Sequence, residues 1–383
     1  MRTGVFFFGG VEMDDAGAGP PISTDRRYDS KQVWRAIEQL LDMGVAADRL
    51  GYDSFWLTEH HFQYEGYEVV PNGMLFGSVL AERTEQIRIG SMFNIVGQWH
   101  PLRLAEDFAA MHNLSGGRGI LGIGRGTVPR EAEPLGTRIG SFDNPDSAAS
   151  DTLNRKQFAE AVDVIRLALD NEAFSYHGEI FEFPPAGIPD RGGFVETLSL
   201  VPRPIYPYEI WQPVTSPPTL EIVPAQGYGG VFWLRHYSLV ARDWERFGER
   251  WAETQGAELE PGAQRMLVLP VCVEDSHEAA IESVRDGHDE YWKFLAEYDR
   301  ARGYLDEDGN GFAPGAVPTL EQSIANKVWV VGTADDVAEE INFYAELLGG
   351  LENLVIFPNM PGDSYEKSEE QMRRFAEEVL PQF

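Results

Sequence analysis

The chain has 383 residues, with 62 acidic against 31 basic side chains and a formal charge of −31 at neutral pH. An excess of this size repels nucleic acid and anionic lipid, so neither is expected as a partner. The single cysteine, Cys272, excludes an intrachain disulfide, while 43% hydrophobic and 12% aromatic residues suffice for a large core.

No apolar run approaches the roughly 18 residues of a membrane span. The opening MRTGVFFFGG is too short for a signal peptide, so a cytoplasmic protein is expected. Cys272 lies in the apolar run 266–273 and reads as an inert core residue.

In chain order, residues 3–8 read as a first strand and 31–50 as a helix. Val33, Ile37, Leu40, Leu41, Gly44 and Ala47 share one face of that helix. Ser30 or Asp29 can cap its start, and Gly51 follows its end. Strand 54–57, helix 72–82 and strand 87–93 follow. His100-Pro101 opens a helix running to about 114, and 119–123 is a fourth strand. Residues 152–170 form an amphipathic helix. The Gly-, Pro- and aromatic-rich stretch 171–208 reads as an excursion on the surface. Strand 210–214, helix 218–226, strand 230–234, helix 240–255, strand 265–273 and a long helix 276–302 come next. Residues 306–318 have turn composition, and 303–325 is expected to be a mobile loop. Helix 333–348, strand 353–357 and helix 364–379 close the chain. Eight strands alternating with helices, with no boundary linker, predict one domain over 1–383, a (β/α)8 TIM barrel with insertions.

One stretch stands out. In SFWLTEHHF, residues 54–62, an apolar strand ends in Glu59, His60 and His61. Buried strands usually close on Gly, Asn or Asp turns rather than on three ionisable groups. In a closed parallel barrel, chemistry gathers at the C-terminal strand ends. An imidazole titrates near neutrality and can carry a proton. Adjacent residues of an extended segment point opposite ways, so either histidine could face a site. Glu59 either fixes an imidazole tautomer or pairs with an arginine. Adjacent histidines rarely share one ion and no HExxH spacing occurs, so no metal is expected. GIGRG, residues 122–126, lacks the dinucleotide spacing, because Thr127 stands where the last glycine would fall. Its glycines suit close approach of a flat ring, and Arg125 faces either a phosphate or the surface. Phe6, Phe8, Phe62, Phe93, Trp99, Trp211 and Trp233 sit near strand ends, as core or as the walls of an apolar substrate pocket.

Several motifs recur in a fixed order: LGYDSFWLTEHHF (50–62), IRIGSMFNIVGQWHPLRLAEDFAAMHNLSGGR (87–118) and GIGRG. Weaker ones follow at Asn154-Arg155, VTSPPTLEI (214–222) and VGTADDVAEEI (331–341). Together they give a chain that resembles the bacterial luciferase-like monooxygenases over nearly its whole length. The resemblance implies a β/α barrel that binds reduced flavin, as FMN or in one branch as F420, and uses O2 to oxidise an organic substrate. It places His60 at the family's catalytic histidine. It matches Arg155, Ser216 and Thr219 to groups that contact the flavin phosphate. Helix N-termini favour anions there, although Ser216 and Thr219 could be ordinary caps and Arg155 a surface ion-pair partner. It implies a non-proline cis peptide at Met92-Phe93 or one bond earlier, against the flavin's central ring. Asn94 is then a partner for the ring edge or for backbone. Gly124 stands where luciferase itself has a reactive cysteine, which puts light emission in doubt. The loop after strand 7 matches a lid.

The expected activity is FMNH2-dependent monooxygenation of a small, hydrophobic organic substrate. No pyridine-nucleotide fingerprint is present, so a separate NAD(P)H:flavin reductase is expected to supply the cofactor. A homodimer through 31–50 and 72–82 is expected as well. The alternatives are an F420-dependent hydride-transfer oxidoreductase of the same superfamily and a non-catalytic flavin-binding protein.

Overall fold

Alternation along short apolar strands decides the architecture. The computed structural model describes residues 1–19, 26–126, 128–137, 147–298 and 300–383. Its main strands are β1 (Arg2–Phe6), β2 (Ser54–Leu57), β3 (Arg88–Ser91), β4 (Gly119–Gly124), β5 (Ile210–Pro213), β6 (Gly229–Trp233), β7 (Arg265–Val273) and β8 (Asn353–Phe357). Each pairs in parallel with the next, and β8 pairs with β1, so the ring closes without an edge. Parallel neighbours need a crossover, which the long helices α1 (Ser30–Arg49), α2 (Gly73–Arg83), α3 (Pro101–Leu114), α4 (Ser147–Asp170), α5 (Pro217–Ala225), α6 (Tyr237–Gln255), α7 (His277–Leu295) and α8 (Ala334–Leu347) provide. α9 (Tyr365–Arg374) follows β8. The eight-stranded barrel expected from the sequence is therefore observed.

Two cores follow from the period of two. Val5, Phe55, Ile89, Leu121, Phe232, Leu267 and Ile356 face the helices. Phe6, Trp56, Ile120, Val231, Val268 and Val355 fill the barrel. The lumen is plugged by two indoles for which glycines make room. A Cβ on Gly90 would lie 2.5 Å from the Trp56 ring, and one on Gly229 would lie 2.4 Å from Trp211. Their N–H groups are satisfied by Ser54 and Glu209 at 2.9 and 3.0 Å. A large open cavity remains toward the C-terminal strand ends.

The helix over 31–50 forms nearly as expected, with Asp29 and Gln32 making its capping box. Several boundaries differ. β1 ends at Phe6, because Gly9 turns the chain at φ 67°. The strand expected over 87–93 stops at Ser91. The cis peptide Met92-Phe93 follows, and Asn94–Ile95 then pairs with the end of β4. α4 starts five residues before the expected 152. The helix expected over 276–302 ends at Leu295. Short 3-10 turns over Ala296–Tyr298 and Arg300–Gly303 replace its last part. The reason is tertiary: the backbone at Gly303 passes so close to Leu234 that a Cβ would lie 2.5 Å from its carbonyl oxygen. A short strand over Val330–Gly332, absent from the expected elements, pairs in parallel with the end of β7 at Val271–Val273. Residues 171–208 lie outside the barrel sheet and carry two small hairpins. Within 303–325, an isolated bridge joins Leu305 and Gly311, and Thr319 caps the helix Leu320–Ala325. Among the described residues, no helix is long and apolar enough to cross a membrane.

β3 and β4 meet most tightly at Gly122, where a Cβ would lie 1.8 Å from the Ser91 carbonyl oxygen. Neither backbone can give way without breaking the ring. Gly122→Ala is expected to destabilise the fold by about 3 kcal/mol, the upper end for overpacking, read as a lower midpoint in urea unfolding with an unchanged slope.

Candidate active site

At the C-terminal rim lies a cavity of ≈ 420 Å³, within the size range of small-molecule sites. Its walls are largely apolar: Phe6, Phe8, Met92, Phe93, Ile95, Val128, Trp233, Leu234 and Phe294. Among them stand His60, Glu68, Arg125, Glu131, Gln212, Ser216, Thr219, Arg235 and Arg300. Leu234 holds a left-handed backbone at φ 53°, a conformation that costs a non-glycine residue about 1 kcal/mol and clusters at functional sites.

His60 is the centre of the polar groups. Its backbone N–H donates to Val70 O at 2.9 Å, which fixes the strand end against the next loop. Its Nδ1 lies 3.0 Å from Glu131 Oε1 and its Nε2 lies 2.8 Å from Glu68 Oε2. Glu68 and Glu131 are both buried. Burial disfavours the imidazolium, but the two carboxylates outweigh it and push the His60 pKa up to about 10. Burial raises the Glu68 carboxyl above its usual value, against the pull of His60. Glu131 is braced further by Gln63 Nε2, and Gln63 in turn accepts from Arg130 at 2.8 Å. The ring of Phe294 covers the imidazole edge-on at 6.2 Å.

Glu59 and His61 do not line the cavity. Glu59 is buried, and its oxygens accept from Trp99 Nε1 at 2.8 and 3.0 Å and from Ile95 N–H at 3.3 Å. His61 Nε2 lies 3.3 Å from Glu59 Oε1. Of the expected trio, only His60 reaches the cavity. Glu59 anchors the turn at 95–99, and His61 leans on Glu59. The opposite orientation of neighbours in an extended segment separates the two histidines.

Met92, Phe93 and Gly124 form the cavity floor. Met92 and Phe93, joined by the cis peptide, face Gly124, where a Cβ would lie 3.0 Å from the Phe93 Cβ. A flat ring can approach such a floor closely. Asn94 stands behind it instead, with Nδ2 donating to Gly122 O at 2.7 Å, so it serves backbone and does not line the cavity.

Arg125, Ser216 and Thr219 line the cavity, whereas Arg155 does not. Asp151, on α4, bridges the two arginines, at 2.7 Å from Arg125 Nη1 and 2.7 Å from Arg155 Nε. Asn154 Oδ1 also accepts from Arg125, at 2.9 Å. The helix start is less generous than its dipole suggests. Pro217 and Pro218 lack N–H groups, and Thr219 Oγ1 accepts from Thr215 and Ser216 N–H at 3.2 and 3.1 Å. An anion here would therefore rely on the Ser216 and Thr219 hydroxyls and on Arg125 more than on free backbone. Of the aromatics singled out, Phe6, Phe8, Phe93 and Trp233 line the cavity. Trp211 plugs the lumen, Trp99 holds Glu59, and Phe62 is exposed.

Sequence reasoning passed over Glu68 and Glu131. A signal for Glu68 was present: one carboxylate between Tyr67 and the apolar pair Val69-Val70, a costly place for a charge. Glu131 sits in a charged stretch, REAE, that gave no reason to single it out.

A family model described as luciferase-like monooxygenase matches residues 1–350. An uncharacterised protein, y4wF, of Sinorhizobium fredii (strain NBRC 101917 / NGR234) is 36% identical over 154 residues, which cover 40% of this chain and only 41% of that protein. The 4-hydroxyprotoasukamycin monooxygenase of Streptomyces nodosus subsp. asukaensis is 26% identical over 336 residues, covering 85% of this chain and 80% of that one. Among solved structures, the FMN complex of the oxygenating constituent of 3,6-diketocamphane monooxygenase from Pseudomonas putida, a type II Baeyer-Villiger monooxygenase, superposes with a TM-score of 0.75. It covers 100% of this chain and 98% of that chain at 22% identity, a likeness of fold.

The raised pKa of His60 has a stability consequence. A group more basic in the folded than in the unfolded chain stabilises fully below its unfolded value, here near 6.5, and loses that contribution as pH rises through about 10. Thermal melts of wild type and His60→Gln should differ most near pH 6.5, and the gap should close progressively toward pH 10. A gap that does not change with pH would contradict the assignment.

Proposed function

This chain belongs to the luciferase-like monooxygenase family, and we propose that it is a flavin-dependent monooxygenase taking reduced FMN and O2 to oxygenate a small, hydrophobic organic compound. The observation that carries this reading is one cavity that joins Met92, Phe93 and the side-chain-free Gly124, an apolar wall and a doubly held histidine. The residues present fit a flavin. Met92, Phe93 and Gly124 would carry the ring, and Arg125, Ser216 and Thr219 would take the phosphate. When bound, reduced flavin supplies the two electrons that activate dioxygen.

The chain's own residues do the rest. Phe6, Phe8, Trp233 and Phe294 exclude water from the reacting centre, which strengthens every charge inside it. The same rings suit an apolar substrate and offer few hydrogen bonds to orient a polar one. His60, held cationic by Glu68 and Glu131, keeps a proton available beside the cavity. Glu59, through Trp99 and Ile95, fixes the segment that continues from the floor.

The reading includes a separate NAD(P)H:flavin reductase and a cytoplasmic homodimer. Trp34 on α1 and Leu75 on α2 are 52% and 59% exposed, an apolar pair suited to a partner copy.

The test mixes the protein with reduced FMN and isotopically labelled dioxygen over a panel of apolar aldehydes, ketones and phenols. Label should appear in the organic product, and NADH should not be consumed until a flavin reductase is added. Reduced F420 formed from a substrate without O2 would instead establish the hydride-transfer alternative. His60→Ala should bind FMN within a few-fold of wild type, while turnover falls by about 10²-fold or more. Unchanged turnover would count against the role of His60.

A further inference from the structure

His60 has no ring nitrogen to spare. Nδ1 faces Glu131 at 3.0 Å and Nε2 faces Glu68 at 2.8 Å. An imidazole exchanges protons only through those two atoms, so to meet a reacting group directly it must leave one carboxylate. The two carboxylates are not equivalent. Glu131 is tied back into the protein by Gln63, which Arg130 holds, and Arg130 pairs with Glu65 at 2.6 Å. Glu68 has no such tether. Its contact with His60 is an ion pair through Oε2 at 2.8 Å, and among the described residues that buried oxygen makes no aligned hydrogen bond of its own. Both carboxylates line the cavity.

We propose that Glu68 is the catalytic residue that exchanges the proton with the reacting oxygen in the cavity, with His60 relaying that proton and Glu131 positioning the ring. This rests on the flavin-dependent reading above. In the donating direction the His60 Nε2–H bond breaks as a Glu68 O–H bond forms, leaving a neutral imidazole and a carboxylic acid. The acid then passes the proton to a cavity oxygen and returns to carboxylate. Water entering the cavity reloads the pair through the Glu68 carboxylate, which returns the proton to His60 Nε2. No electrons move in these steps.

The surroundings suit the role. Arg300, from the turn after α7, and His60 draw Glu68 toward its charged form, while burial and Glu131 push it toward the acid. Tyr291 on α7 is the other titratable group coupled to it. A carboxyl poised between opposing influences can hold a proton transiently without keeping it.

The test uses full-length protein with reduced FMN and O2 as the probe, a reaction that takes up one proton as FMNH⁻, O2 and H⁺ give FMN and hydrogen peroxide. Return of oxidised-flavin absorbance is followed by stopped flow. Glu68→Gln should slow that return by about 10²-fold while FMN binding, read by fluorescence quenching, stays within threefold or so. Glu131→Gln should slow it by less than about tenfold. Formate added to Glu68→Ala should restore part of the rate, which a merely structural role would not allow. In cofactor-free protein, nitrogen NMR titration should show a lower His60 pKa in both Gln variants. If Glu68→Gln reacts at the wild-type rate while His60→Ala is slow, the relay is overturned and the flavin reading stands. If wild-type protein binds no FMN, the flavin reading itself falls.

Discussion

Two carboxyl groups buried within hydrogen-bonding distance of one imidazole set the character of this molecule. Charges taken out of water are tolerated only when they are paired, and Glu68 and Glu131 find their common partner in His60. The pairing holds the imidazole cationic, fixes its ring plane and keeps both nitrogens occupied. It also joins three separate pieces of chain. His60 follows β2, Glu68 lies in the loop before α2, and Glu131 sits in a short helical turn after β4. The cavity wall is therefore held by a polar clasp as well as by packing.

The barrel makes that clasp possible. Closing eight parallel strands brings all their C-terminal ends to one rim, so residues more than 200 positions apart share a cavity. Trp56 and Trp211 fill the lumen from below, and the cavity lies above them, between aromatic walls and Met92, Phe93 and Gly124. At the far side Asp151 already occupies the interval between Arg125 and Arg155. A phosphate arriving there would compete with a carboxylate for the same guanidinium, which would temper the affinity for a diffusible cofactor. Loose holding of that kind agrees with the proposed supply of reduced flavin by a separate reductase.

The Glu59–Trp99–Ile95 group has the opposite duty. Glu59 and Trp99 contribute nothing to the cavity surface, but through Ile95, which does, they lock the turn that carries the floor. The motif that first drew attention, EHH, thus divides between a residue that faces the site and two that hold its frame.

The fold and the rim that carries the cavity were legible in the linear chain, because both rest on local periodicities. Apolar runs of strand length alternating with amphipathic helices specify a parallel barrel, and an ionisable cluster at a strand end marks its working rim. His60, Gly124, Arg125, Ser216 and Thr219 were readable on those grounds and on resemblance. Which carboxylates face His60 was not, since Glu68 and Glu131 belong to loops whose course is set by long-range packing. Nor was the end of α7, where helical periodicity runs on through residues that the approach of Leu234 to Gly303 forces into 3-10 turns. Local sequence determined the elements and their order. Tertiary closure alone decided which charges meet, because desolvation and pairing act between groups that only folding brings together.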